Sequence, residues 1–250
     1  MKNLPIGIST LSKMLENDMV YVDKTEYIHK LASTAGAYFL SRPRRFGKSL
    51  FLDTLKSLFE GREELFRGLY IHDKWDWNRR HPVIKVDFAG GTVCNRAELK
   101  DKLEANFSRF EQDFGLVLKT NGVSNRFNEL LQLVSQKYGA KPVVLIDEYD
   151  KPLLDNIEKP EVQDEIREGL RDFYSVIKEQ DANLQFVFLT GVSKFSKVSI
   201  FSGINNLKDI TLSPAFAACC GYTEADLDAC FCEHLAGVDR RLLKRWYNGY

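Results

Sequence analysis

Tyr38-Phe39-Leu40-Ser41-Arg42-Pro43-Arg44-Arg45-Phe46-Gly47-Lys48-Ser49 is the stretch whose reading decides the fold. An apolar run stops at a turn carrying Pro43 and Gly47, and Lys48-Ser49 then opens a helical pattern. That is the strand, loop and helix layout of a phosphate-binding P-loop. The motif G-x-x-x-x-G-K-[ST] asks for glycine five residues before Gly47, and Arg42 stands there instead. The departure matters because the loop must wrap closely round a phosphate, and arginine cannot adopt every glycine conformation at low cost. Downstream, Leu50, Phe51, Leu52, Leu55, Leu58 and Phe59 form a broad apolar stripe, with Gly61 where a helix C-terminal cap belongs.

The second informative stretch is Lys141-Pro142-Val143-Val144-Leu145-Ile146-Asp147-Glu148-Tyr149-Asp150. Consecutive apolar residues bounded by Pro142 and ending in acids read as a buried central strand of a parallel sheet, its carboxyl end at the ligand edge. In P-loop enzymes an aspartate there holds magnesium and an adjacent glutamate activates the attacking water. Asp147 and Glu148 stand in that order. Acids at strand ends also cap turns, so it is the pairing with Lys48-Ser49 that points to a nucleotide. A further strand, Leu184-Gln185-Phe186-Val187-Phe188-Leu189, ends at Thr190, whose hydroxyl is expected to sense the γ-phosphate or orient water.

The remaining pattern fills in an α/β fold. Val83-Ile84-Lys85-Val86-Asp87-Phe88 alternates as a strand that stops at Gly90-Gly91; Leu99, Leu103, Phe107, Phe110 and Phe114, then Phe127, Leu130, Leu131 and Val134, mark two helices. A third helix carries Val162, Ile166, Leu170, Phe173 and Ile177, its opposite face showing Arg167, Arg171 and Lys178 as a solvated surface. A short last strand is predicted over Asp209-Ile210-Thr211-Leu212. Near the amino end, Asp23 and Glu26 predict a capping box, against a reading in which Tyr21 or Lys24 flanks an adenine. From Gly221 onward short helices follow, Thr223 with Asp226 capping the first and Leu242, Leu243 and Trp246 lying in the second. Strands alternating with helices imply a doubly wound parallel sheet. One strand-helix unit separates the P-loop from the acidic strand, which suggests an additional strand between the two motif strands. The expected division is an α/β domain over 1–215, its first 36 residues an N-terminal segment and helix, and a helical lid over 216–250.

Lysine plus arginine equal aspartate plus glutamate at 35 each in 250 residues, so no global charge draws the chain to nucleic acid or an anionic membrane. No apolar run reaches the roughly 18 residues of a membrane span, and Met1-Lys2-Asn3-Leu4-Pro5 lacks a signal-peptide core, so a cytoplasmic protein is expected. Cys94, Cys219, Cys220, Cys230 and Cys232 are odd in number and spaced unlike a disulfide framework. The last four, with His234, cluster without the C-x-x-C pairs that structural zinc sites favour.

Taken with Leu4-Pro5-Ile6-Gly7-Ile8, Tyr21-Val22-Asp23-Lys24-Thr25 and Phe201-Ser202-Gly203-Ile204-Asn205-Asn206-Leu207, the variant loop and the acidic stretch resemble the bacterial AAA-ATPase-like family over nearly the whole chain. In that family the arginine-rich loop is the usual form. The resemblance implies a P-loop ATPase whose relatives often continue into a PD-(D/E)XK nuclease-like domain; no nuclease residue set is present here, and the ending at Trp246-Tyr247-Asn248-Gly249-Tyr250 reads as a cut. The expectation is an ATP-binding, slow magnesium-dependent ATPase acting as a conformational switch, against a non-hydrolysing nucleotide- or phosphate-binding module. The cradle is expected from Arg44, Arg45, Phe46, Gly47, Lys48, Ser49 and Leu50, magnesium on Ser49 and Asp147, and catalysis on Lys48, Glu148 and Thr190. Arg44 and Arg45 either reach phosphate or pair with acids such as Glu148. Base preference and oligomeric state are not encoded in these patterns.

Overall fold

A computed structural model describes residues 1–194, 201 and 206–246. Ser202–Asn205 of the resembling stretch and the closing residues 247–250 lie outside the described residues. The chain runs through α1 (Leu11–Glu16), α2 (Thr25–Ala32), β1 (Gly36–Ser41), α3 (Lys48–Phe59), β2 (Val83–Asp87), α4 (Arg96–Phe114), α5 (Val123–Tyr138), β3 (Val143–Asp147), α6 (Lys151–Leu154), α7 (Pro160–Glu179), β4 (Phe186–Gly191), β5 (Leu207–Asp209), α8 (Glu224–Cys230) and α9 (Arg240–Trp246).

The strands form one sheet in the order β2-β3-β4-β1-β5, every pair parallel. Period-two alternation explains the continuous apolar runs. Phe39, Val144, Ile146, Val187 and Leu189 enter one core with α4, α5 and α7. Tyr38, Leu40, Val143, Leu145, Phe186 and Phe188 enter the other with α1, α2 and α3. Each fully buried aliphatic or aromatic side chain of this kind contributes roughly 1.5–3 kcal/mol of transfer free energy. The parallel register sets the exits of β1, β3 and β4 side by side, Leu40 opposite Thr190 and Ile146 opposite Leu189. β4 is therefore the additional strand between the two motif strands, as the spacing implied.

Two local expectations are corrected. The last strand covers Leu207–Asp209 rather than 209–212, pairing Ala37 with Leu207 and Phe39 with Asp209. The Asp209 carboxylate then accepts the Thr211 N–H at 2.9 Å, which turns the chain off the sheet. Asp23 makes no capping box with Glu26. It accepts from the Thr25 N–H and hydroxyl at 2.8 and 2.6 Å and from the Tyr70 N–H at 2.7 Å, while Glu26 pairs with Lys30. The Thr223–Asp226 capping box does form, at the start of α8. Among the described residues no helix is long and apolar enough to cross a membrane.

Candidate functional site: the shared exit of three strands

The β1 exit passes directly into the variant loop. Arg45 and Gly47 both sit at positive φ, +67° and +84°, and reverse the chain into α3. A side chain added at Gly47 would meet nothing within 4 Å, so glycine is required there for its backbone and not for space. α3 begins without a side-chain cap, and its first N–H groups lack intrahelical partners. An uncapped helix amino end beside a lysine is a ready anion site. Lys48, 5% exposed, points its Nζ back at the carbonyls of Arg42 and Pro43, 3.0 Å from each.

Arg42 explains the missing glycine. Its guanidinium donates to the carbonyls of Ser41 at 3.0 Å, Thr211 at 2.7 Å, Phe216 at 3.2 Å and Ala217 at 3.4 Å. The side chain thus stitches the loop to the segment after β5. The Phe46 carbonyl repeats the link by accepting the Gly221 N–H at 2.9 Å. Arg44 and Arg45 are exposed and, among the described residues, make no ion pair, though Arg44 lies within electrostatic reach of Glu148. The proposed Glu148 pairing is thus not a salt bridge. Ser49 and Leu50 are half-buried on the first turn of α3.

Across the sheet edge, Asp147 is 1% exposed and accepts the Thr190 hydroxyl at 2.6 Å and the Glu148 N–H at 3.1 Å. Burial pushes the Glu148 carboxyl above its ordinary pKa; Asp147 and Asp87 push it the same way, against Lys48 and Arg44. Burial lowers the Lys48 ammonium, against the pull of Asp147 and Glu148. The opposing influences mean that Lys48, Asp147 and Glu148 share one electrostatic neighbourhood, as the motif spacing implied. Lys24, weighed as an adenine contact, instead engages Asp226 at 2.6 Å. Among the described residues no group of three or more His, Cys, Asp or Glu side chains could hold a metal. Ser49 and Asp147 offer oxygen donors of the kind a hard divalent ion takes, alongside phosphate and water.

Sequence reasoning missed Asp150. Fully buried, its carboxylate accepts the Val192 N–H at 3.0 Å and the Ser193 N–H at 2.7 Å. The only signal for it was a third acid, three residues after Asp147, read as part of the strand ending.

Residues 5–201 match the family described as "Predicted AAA-ATPase". An "Uncharacterized protein in vnfD 5'region" of Azotobacter chroococcum mcd 1 is 52% identical over 250 residues, which is all of this chain and 48% of that protein. The chain thus spans about half the length of the curated relative it matches. Among solved structures, one described as "Structure of Drosophila ORC bound to GC-rich DNA and Cdc6" is similar at a TM-score of 0.36 and 10% identity, covering 83% of this chain and 59% of that one. With the family match spanning most of its length and the five-stranded parallel sheet in place, the chain belongs to the AAA-ATPase-like family.

Proposed function

We propose that the chain binds ATP at the shared exit of β1, β4 and β3 and hydrolyses it slowly. The observation that carries this reading is the convergence of Lys48, Thr190, Asp147 and Glu148 at one sheet edge beside the uncapped amino end of α3. In this reading the backbone of Arg44, Arg45, Phe46, Gly47, Lys48, Ser49 and Leu50 cradles the phosphates. The Lys48 ammonium leaves the Arg42 and Pro43 carbonyls to neutralise charge on the transferred group. Ser49 and Asp147 would hold magnesium, which would supply Lewis-acid stabilisation of the phosphate oxygens. Glu148 polarises the attacking water, and Thr190 reports the γ-phosphate to Asp147 through its hydroxyl. Residues 1–215 form the ATPase-like domain and 216–250 the lid. The Arg42 and Phe46 links are how a change in the loop would reach that lid. In the longer relative, the remaining length is a candidate receiver for the same movement, and a nuclease-like domain is one form it could take.

One observation favours the alternative of a non-hydrolysing module: the loop's own Arg42 and Pro43 carbonyls engage the Lys48 ammonium, which must give up both bonds before it can act on a transferred group. Magnesium-dependent phosphate release from wild type, Lys48→Ala and Glu148→Gln separates the two. Hydrolysis by wild type alone, with ATP-dependent thermal stabilisation of both wild type and Glu148→Gln, supports the ATPase. Equal background release from all three, with stabilisation retained in wild type, supports the module.

A further inference from the structure

Glu148 has a φ of +51°. That is the left-handed region, where a residue other than glycine pays of order 1 kcal/mol or more, and such a conformation persists only where its surroundings impose it. The Glu148 N–H is held by Asp147 Oδ1, and the Tyr149 N–H by the Thr190 carbonyl at 3.0 Å. The third restraint is Asp150. With no exposed surface, it reaches past its own turn to the Val192 and Ser193 N–H groups that follow β4. The joint is close-fitting. A Cβ built on Gly191 would lie 2.4 Å from the Tyr149 ring and 2.7 Å from Asp150 Oδ1, so any side chain there would wedge the two strand exits apart.

We propose that Asp150 is a positioning residue for hydrolysis: it locks the turn that keeps Glu148 in its left-handed conformation and joins that turn to the segment after Thr190. The assignment rests on the hydrolytic reading above, in which Glu148 polarises water. Removing the carboxylate leaves two part-buried N–H groups without this acceptor and releases the turn. Glu148 then relaxes to an ordinary φ, and its carboxylate leaves the place from which it can act. The phosphate cradle lies at the exit of a different strand, so nucleotide affinity survives. The loss falls on kcat, because misplacing one reacting group spoils orientation and leaves ground-state binding intact.

The test is ATP turnover, calorimetric ATP binding, thermal melting and a crystal structure for Asp150→Ala and Asp150→Asn in the full chain. The expected result for Asp150→Ala is a kcat lowered roughly 10- to 100-fold, an ATP affinity close to wild type and a negative φ at residue 148. Asp150→Asn keeps the volume and one acceptor oxygen and recovers part of the rate, and it carries the test if the alanine variant does not fold. Gly191→Ala, which attacks the same joint from the other side, gives the same split between kcat and affinity. A folded Asp150→Ala with wild-type kcat overturns the proposal, as does one that retains φ near +50°, or one that loses affinity and kcat together. A wild type that releases no more phosphate than Lys48→Ala instead overturns the hydrolytic reading, and the assigned purpose of Asp150 falls with it.

Discussion

Arg42 reaches carbonyls on both sides of a gap that glycine would leave open, those of the loop itself and those of residues 211, 216 and 217. Restoring the consensus with Arg42→Gly therefore removes a brace without improving the cradle. The expected outcome is a loss of roughly 1–3 kcal/mol in urea unfolding, with no gain in ATP affinity by calorimetry; tighter binding in that variant would return Arg42 to the status of a defect. The places of Lys48, Asp147, Glu148 and Thr190 were legible because each stands where a strand ends or a neighbouring motif begins. Asp150 was not, because its acceptors' partners are backbone N–H groups 42 and 43 residues away that leave no mark in the side-chain pattern. Asp23 was misread for a related reason: its partner across the chain, the Tyr70 N–H, is invisible to a local capping rule.

The α8 segment is held to the amino-terminal region by a small separate core of Val20, Val22 and Phe231 and by the Lys24–Asp226 ion pair. Burial of the Asp226 carboxyl acts to raise its pKa, but Lys24 and the bonds from Thr223 outweigh it and leave the group below the ordinary carboxylate value. A carboxyl depressed in the folded state stabilises above its unfolded pKa and loses that contribution as pH falls through the folded value. Docking of 223–231 is thus expected to hold at neutral pH and weaken below about pH 4, and Lys24→Met should lessen that pH dependence, the Thr223 bonds retaining the rest. Amide hydrogen exchange of this segment, compared between wild type and the variant across the acid range, checks it; an identical acid response in both would remove the pair from the docking. β5 shows the limit of reading elements from pattern alone. Its apolar residues suggested 209–212, but a three-residue edge strand is defined by pairing with β1, and the Asp209 carboxylate turns the chain at the residue where the prediction began.

For the molecule as a whole, the double-sided sheet was legible because strands buried on both faces are apolar along nearly their whole length, and β3 is apolar and buried from Val143 to Ile146 before the buried Asp147 at its exit. That one strand lies between the two motif strands was legible as well; that it is β4, and where β2 and β5 stand, came from the pairing itself. Leu145, fully buried in the middle of that strand, should cost about 2–5 kcal/mol on truncation to alanine, read as a fall in the urea midpoint at unchanged slope; a cost below 1 kcal/mol would mean that the second core is loosely packed. The closure of the chain upon itself has a consequence of another kind. His234 donates to the Lys2 carbonyl at 2.9 Å, and Lys24 meets Asp226, so residues 2 and 24 pair with partners 232 and 202 positions further along the chain. At ribosomal speeds of about 5–20 residues per second, the amino-terminal segment waits roughly 10–40 s for its partners to emerge. During that interval Val20 and Val22 lack the cover that Phe231 gives them in the folded chain.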